Sequence, residues 1–150
     1  MPPEENKSET FPVKSTDEEM RAAMRRAREA FPEFVREVEA DSRRIIPALQ
    51  SALVKAYFVD EENPSEGEHM WVDEVEWDSA LIRGRLVSSP SHVRSVKMGD
   101  QVSFPLERLS DWLYVLNDKA HGAYTVQVLR NRMSKEERAT HDSNYPFSFE

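Results

Sequence analysis

The hydrophobic period changes once along this chain, and that change restricts the fold more than any other feature. Met20, Ala23, Met24, Ala27 and Phe31 recur at three- and four-residue steps, the stripe of one helix face. Thr16 stands where an N-cap is needed and Glu19 follows three residues later, the spacing of a capping box. Pro32 lacks an amide proton and restricts its predecessor, so the helix ends or kinks at Phe31. Phe34, Val35 and Val38 form a second stripe reaching about Asp41. Residues 42–50, with Pro47 after Ile45 and Ile46, read as a turn or short helical piece. From Ala52 onward the pattern is β, with branched and aromatic residues in short runs bounded by turn residues.

Six strands are predicted: 52–60, 69–77, 81–87, 101–104, 109–115 and 124–130. The first two form a hairpin around the loop Asn63-Pro64-Ser65-Glu66-Gly67, and Met98-Gly99-Asp100 reads as a turn. Pro105 belongs at a strand end or exposed edge, where a missing donor costs least. Asn117 to Gly122 connects the last two strands. Ser134 with Glu137 predicts a short capped helix over 134–140, and the apolar end over 144–150 should dock on the body. Helices first and strands afterwards is the α+β pattern. The expected architecture is N-terminal helices packed on a strongly curved, mostly antiparallel sheet or partly open barrel of about six strands. Residues 1–15 are polar and without apolar period, which predicts a flexible tail ahead of a single domain over 16–150.

The chain has 150 residues, no cysteine and four glycines, so disulfides, thiolate metal sites and glycine-rich phosphate loops are excluded. No run approaches the roughly 18 apolar residues that span a bilayer, and the start carries no secretory pattern. A soluble, cytoplasmic protein is the expectation, with no membrane partner. The net charge of −8 disfavours nucleic acid. That charge is local. Residues 51–78 hold nine acids and one base, and the rest of the chain nearly balances. Asp60, Glu61, Glu62, Glu66, Glu68, Asp73, Glu74, Glu76 and Asp78 follow Lys55 without an intervening base. Such clustering either steers a basic partner or simply solvates a loop and strand edge.

A search for chemistry finds little. His69, His92, His121 and His141 are never three to five residues apart, so no metal motif exists and no cofactor is expected. Glu74, Glu76 and Asp78 alternate onto one strand face and read as a cation site or as that strand's wet side. The opposite face carries His69, Trp71, Asp73, Val75 and Trp77. Asp73 needs a partner there, and Arg83 and Arg85 are the natural candidates. Ser110-Asp111-Trp112-Leu113-Tyr114 suits a strand entry at which Asp111 accepts backbone amides; Trp112 and Tyr114 serve either as core or as anchors for a partner.

Five motifs occur in order: Glu68-His69-Met70-Trp71-Val72, Ile82-Arg83-Gly84-Arg85-Leu86 followed by Pro90, Met98-Gly99-Asp100-Gln101-Val102, Ser110-Asp111-Trp112-Leu113-Tyr114, and Gly122-Ala123-Tyr124-Thr125. Together, over roughly residues 17–130, the chain resembles the YegJ-like family of small bacterial proteins. The resemblance implies a domain of unknown function and transfers no catalytic residue. Gly84, Gly99 and Gly122 within these motifs suit positions that a side chain would obstruct.

The expected role is a non-enzymatic binding protein, of immunity or antitoxin type, that meets a basic protein through an acidic aromatic surface. The candidate residues are Glu66, Glu68, His69, Trp71, Asp73, Glu74, Trp77, Arg85, Asp111, Trp112 and Tyr114. The alternatives are a small hydrolase with His69 and a carboxylate in the curved sheet, or an accessory domain without a discrete site. His69 and Asp73 are about 13 Å apart along a regular strand, too far for direct contact without a bulge.

Overall fold

The computed structural model describes residues 17–149. The predicted tail over 1–15 and the cap at Thr16 lie outside them. Helix α1 (Glu18–Glu29) is capped by Asp17, whose carboxylate accepts the Met20 amide at 3.1 Å. Glu19, assigned to a capping box in the sequence, instead pairs with Arg132, as does Asp17. The break falls at Ala30, and α2 (Phe31–Ser42) carries Pro32 in its first turn, where no amide partner is lost. Residues 43–48 form bends without helix.

The strands are β1 (Leu49–Val59), β2 (Gly67–Trp77), β3 (Ile82–Leu86), β4 (Gln101–Phe104), β5 (Leu109–Leu116), β6 (Lys119–Gly122) and β7 (Ser148–Phe149). They form one sheet in the order β4-β3-β2-β1-β5-β6-β7, antiparallel except for β6 with β7. This is the expected α+β architecture, with seven strands rather than six and a sheet that does not close.

The sheet is rolled. Only residues 105–108 link β4, at one edge, to β5, four strands away. Four inter-strand steps span about 19 Å on a flat sheet, more than the roughly 17 Å that five extended Cα steps reach. Curling closes the gap, and Phe104 of β4 meets Phe58 of β1 with ring centres 5.8 Å apart. The enclosed inner face holds Val54, Ala56, Met70, Val72, Ile82, Leu86 and Trp112, covered by Ala27, Phe31 and Phe34 of the first two helices. A second cluster on the outer face, around Leu113 and Val115, packs with Leu53, Trp71, Val126, Phe147 and Phe149.

The structure has a helix where the pattern predicts a strand over 124–130. That segment is helix α3 (Tyr124–Asn131), and the presumed connection over 119–122 is β6. Its alternating Thr-Val-Gln-Val imitates a strand, but the preceding backbone turns the chain: Gly122 has φ +86° and Ala123 φ +54°. Asp111 then accepts the first helical amides, of Tyr124 at 2.9 Å and Thr125 at 2.8 Å. A carboxylate from another strand thus caps the helix, a tertiary contact that local pattern does not encode. Helix α4 (Lys135–Ser143) starts as the sequence predicts, with Ser134 and Glu137 in a reciprocal capping box.

Candidate binding face

Cross-strand pairing builds a strip on the outer face of β1–β3. His69 lies opposite Tyr57, Trp71 opposite Lys55, and Asp73 opposite Arg85. The Tyr57 and His69 rings are 4.9 Å apart, and the Lys55 amine sits 5.2 Å from the Trp71 ring centre. Arg85 grips Asp73 with two bonds, of 3.1 and 2.8 Å, and lies 3.9 Å from Glu74. Tyr57 crosses over Gly67, whose missing Cβ leaves room for the phenol. The strip therefore runs from the β1–β2 loop toward the middle of the sheet.

Two bulges decide which predicted residues join it. The β2–β3 register shifts between Asp73 and Glu76, and Glu74 has φ +52°. The extra residue reverses parity, so Val75 and Trp77 join the inner core while Trp71 stays outside. Trp77 meets the edges of Phe31 and Phe34, with ring centres 6.3 and 6.4 Å apart. The two tryptophans thus lie on opposite faces, which corrects the single strand face drawn from alternation. The second shift, between Lys55 and Ala56, accommodates Ser110 on β5. Ser110 and His69 share a hydrogen bond of 2.9 Å.

Beside them is a buried polar cluster. Asp111 is fully buried and accepts from the amides of Trp112, Tyr124 and Thr125 and from the Thr125 hydroxyl. Lys55 donates to that same hydroxyl at 2.7 Å. Burial, with the Lys55 charge second, lowers the His69 pKa from 6.5 to about 4, so the ring is neutral near pH 7. Asp111 binds backbone amides as the sequence suggests. Trp112 and Tyr114 are core: the indole nitrogen donates to the Ala27 carbonyl at 2.9 Å, and the two rings stack at 6.0 Å.

Most acids of 60–78 divide into two groups, while Glu74 and Glu76 stand exposed at the β2 bulge. Glu68 accepts the amides of Ser91, His92 and Val93 at 2.6–3.0 Å, and Asp60 accepts those of Glu62 and Arg94. These carboxylates pin the loop between β3 and β4. Asp73 is held by Arg85, and Asp78 by Arg83 at 2.8 Å, which with two amides lowers its pKa to about 2. Glu61, Glu62 and Glu66 remain exposed in the β1–β2 loop. An open cleft of about 400 Å³ lies between that loop and Ser91, His92 and Arg94. Among the described residues no three His, Cys, Asp or Glu side chains are grouped to hold a metal.

Of the predicted set, Glu66, His69, Trp71, Asp73, Glu74 and Arg85 fall on the strip or its acidic end, and Glu68 turns to the other side to hold the amides of Ser91, His92 and Val93. Trp77, Asp111, Trp112 and Tyr114 lie off the strip. His69 and Asp73 do not meet, since Asp73 is committed to Arg85 and His69 to Ser110. Sequence reading missed Lys55 and Tyr57, although their odd-numbered alternation along β1 placed both on one face.

The order of motifs along this scaffold is matched elsewhere. Residues 17–149 match the family described as an uncharacterized protein conserved in bacteria, DUF2314. The chain belongs to this family. It is 38% identical over 138 residues to a Neisseria meningitidis serogroup B protein provisionally named an ankyrin repeat protein, covering 91% of this chain and 54% of that one. It is 33% identical over 70 residues to the uncharacterized protein YegJ of Escherichia coli K12, covering 47% and 46%. No solved structure matches. The chain therefore spans about half the length of the curated relatives it matches. The DUF2314 match reaches residue 149, beyond the five motifs, and so takes in α3, α4 and β7. No helix among the described residues is long and apolar enough to cross a membrane.

Proposed function

We propose that this DUF2314 chain is a binding module without catalytic chemistry, which docks a basic protein segment on the outer strip and its acidic loop. The observation that carries this reading is adjacency. Tyr57 presents an exposed ring beside the partly buried rings of His69 and Trp71 on neighbouring strands, and Glu61, Glu62 and Glu66 stand at the end of that strip. Rings on rigid strands anchor a partner at small entropic cost, while the loop carboxylates steer a cationic surface and raise the association rate. The longer Neisseria relative supports a modular role, since there the match occupies only about half of a protein named for ankyrin repeats, a fold of stacked interaction units. For this chain, the charge of the loop is what supports a basic protein as the partner.

The test is affinity capture with crosslinking from native cells, using wild type, the Glu61→Gln/Glu62→Gln/Glu66→Gln triple variant and Trp71→Ala. Wild type retains a basic partner. The triple variant associates at least tenfold more slowly, with a flattened salt dependence, and Trp71→Ala dissociates faster. Recovery of the same proteins by all three, or of acidic proteins only, refutes the assignment.

A further inference from the structure

The cleft of about 400 Å³ between the β1–β2 loop and residues 91–94 has walls that are fixed in place. On one side the loop folds on itself, the Asp60 amide donating to the Glu66 carbonyl at 3.0 Å and the Glu66 amide to the Asn63 carbonyl at 2.8 Å. On the other, Glu68 holds the amides of Ser91, His92 and Val93 at 2.6–3.0 Å. The Glu61 amide, donating to the Ser95 hydroxyl, and Asp60, accepting the Arg94 amide, tie the two sides together. Asp60 also lines the cleft, and its charge is unusual there. It is only 4% exposed, yet no cation pairs with it among the described residues. Each of its oxygens accepts a single amide, from Glu62 at 3.1 Å and Arg94 at 3.2 Å, both long for bonds to a charged acceptor. A buried carboxylate ordinarily has a counter-charge or a full set of donors. Asp111, also fully buried, accepts four bonds. Asp60 keeps one acceptor site on each oxygen. The Arg94 side chain, on the same wall, is exposed and pairs with no carboxylate among the described residues.

We propose that this cleft receives one arginine side chain of the docked segment, its guanidinium bonded to Asp60. The inference rests on the docking reading and names the group that the segment must carry. The acceptor chemistry selects the ligand. One site left on each carboxylate oxygen is the arrangement that a planar guanidinium meets with two parallel bonds. An ammonium is a point charge that meets one of them and gives up more hydration on entry. The volume suits a single long side chain and is too small for a folded segment. Glu62 and Glu66, exposed on the cleft lining, draw the cation in, and His92 stands 3.9 Å from Glu66 across the opening. Arg94 repels a second cation, which limits the cleft to one. Because the walls are already ordered, little entropy is lost on entry, and a desolvated charge pair at Asp60 dominates the slower dissociation that exposed carboxylates cannot supply.

Titration of the full chain with N-acetyl-arginine amide at low salt, followed in proton–nitrogen correlation spectra, tests it. The amides of Glu62 and Arg94, which bond to Asp60, shift saturably together with those of Ser91 and His92. N-acetyl-lysine amide binds severalfold more weakly, and the neutral isostere N-acetyl-citrulline amide causes no shift. Asp60→Asn weakens arginine binding about tenfold, and Ser91→Trp, which fills the cleft and leaves Asp60 in place, abolishes it. Retained peak dispersion verifies that each variant is folded. Absence of shifts in wild type, equal binding of the lysine or citrulline probe, or undiminished binding by both variants overturns the proposal; a basic partner still captured from native cells would then leave the docking reading standing. Saturable shifts that depend on Asp60, with no basic partner captured, uphold the arginine site and remove the docking reading instead.

Discussion

Acid should weaken this fold through His69 before it does so through any carboxylate. The imidazole is wedged among Tyr57, Ser110 and Lys55, and burial, then the Lys55 charge, hold its pKa at about 4 against 6.5 for the free side chain. Between those values the unfolded chain binds a proton that the folded chain refuses, so stability falls as pH drops from 6.5 toward 4. The full difference corresponds to about 3 kcal/mol, of which about 2 kcal/mol is lost by pH 5. The depressed carboxylates act in another window. Asp17 and Asp78, lowered to about 2, and Asp41 and Asp142, also lowered, contribute stability above 3.8 that is lost only as pH falls below it. Urea unfolding followed by tryptophan fluorescence from pH 7 to 4.5 isolates the His69 effect when wild type is compared with His69→Gln, a neutral side chain of similar reach. Their difference should shrink by about 2 kcal/mol between pH 7 and pH 5. A pH-independent difference, or a wild type that gains on the variant in acid, would show that the ring is not held neutral by its surroundings.

Asp111→Asn keeps the shape but leaves one acceptor oxygen for bonds that now use two, and its amide faces donors. It should cost about 3 kcal/mol in urea unfolding and speed hydrogen exchange at Tyr124 and Thr125; unchanged exchange there would mean that the carboxylate does not cap α3. Gly122→Ala places a methyl 2.5 Å from the Trp112 carbonyl oxygen at a φ of +86°. A loss of about 2–3 kcal/mol in the same assay is expected, and a neutral result would contradict the close approach of β6 to β5.

The first two helices, the hairpin, β4 and the capping box of α4 were legible because each rests on local rules: period, proline geometry, turn residues and short-range caps. Asp111 was legible as an amide acceptor, but not which amides it binds. Those of Tyr124 and Thr125 lie more than ten residues away, and their capture turns an apparent strand into α3. The parity of β2 was legible only as far as Asp73. Nothing in Val75-Glu76-Trp77 announces that Glu74 takes a positive φ and exchanges the faces beyond it. Lys55 and Tyr57 were not legible as part of the site because only the β1–β2 register, a pairing between strands, brings them beside Trp71 and His69.

The charge surplus acquires its meaning from the same irregularities. Read along the sequence, nine acids form one field. In the fold, Asp60 and Glu68 are spent on loop amides, and Asp73 and Asp78 on arginines that the β2 bulge brings into register. An arginine beside Asp73 or Asp78 cancels most of that carboxylate's charge at a distance, whereas the amides that hold Asp60 and Glu68 fix their position and leave their charge in place. The field that remains comes from Asp60, Glu61, Glu62, Glu66 and Glu68 around the turn between β1 and β2, with Glu74 and Glu76 exposed farther along β2. That grouping supports the proposed recognition: loop carboxylates standing beside the exposed Tyr57 ring and the partly buried rings of His69 and Trp71 give an incoming cation a direction.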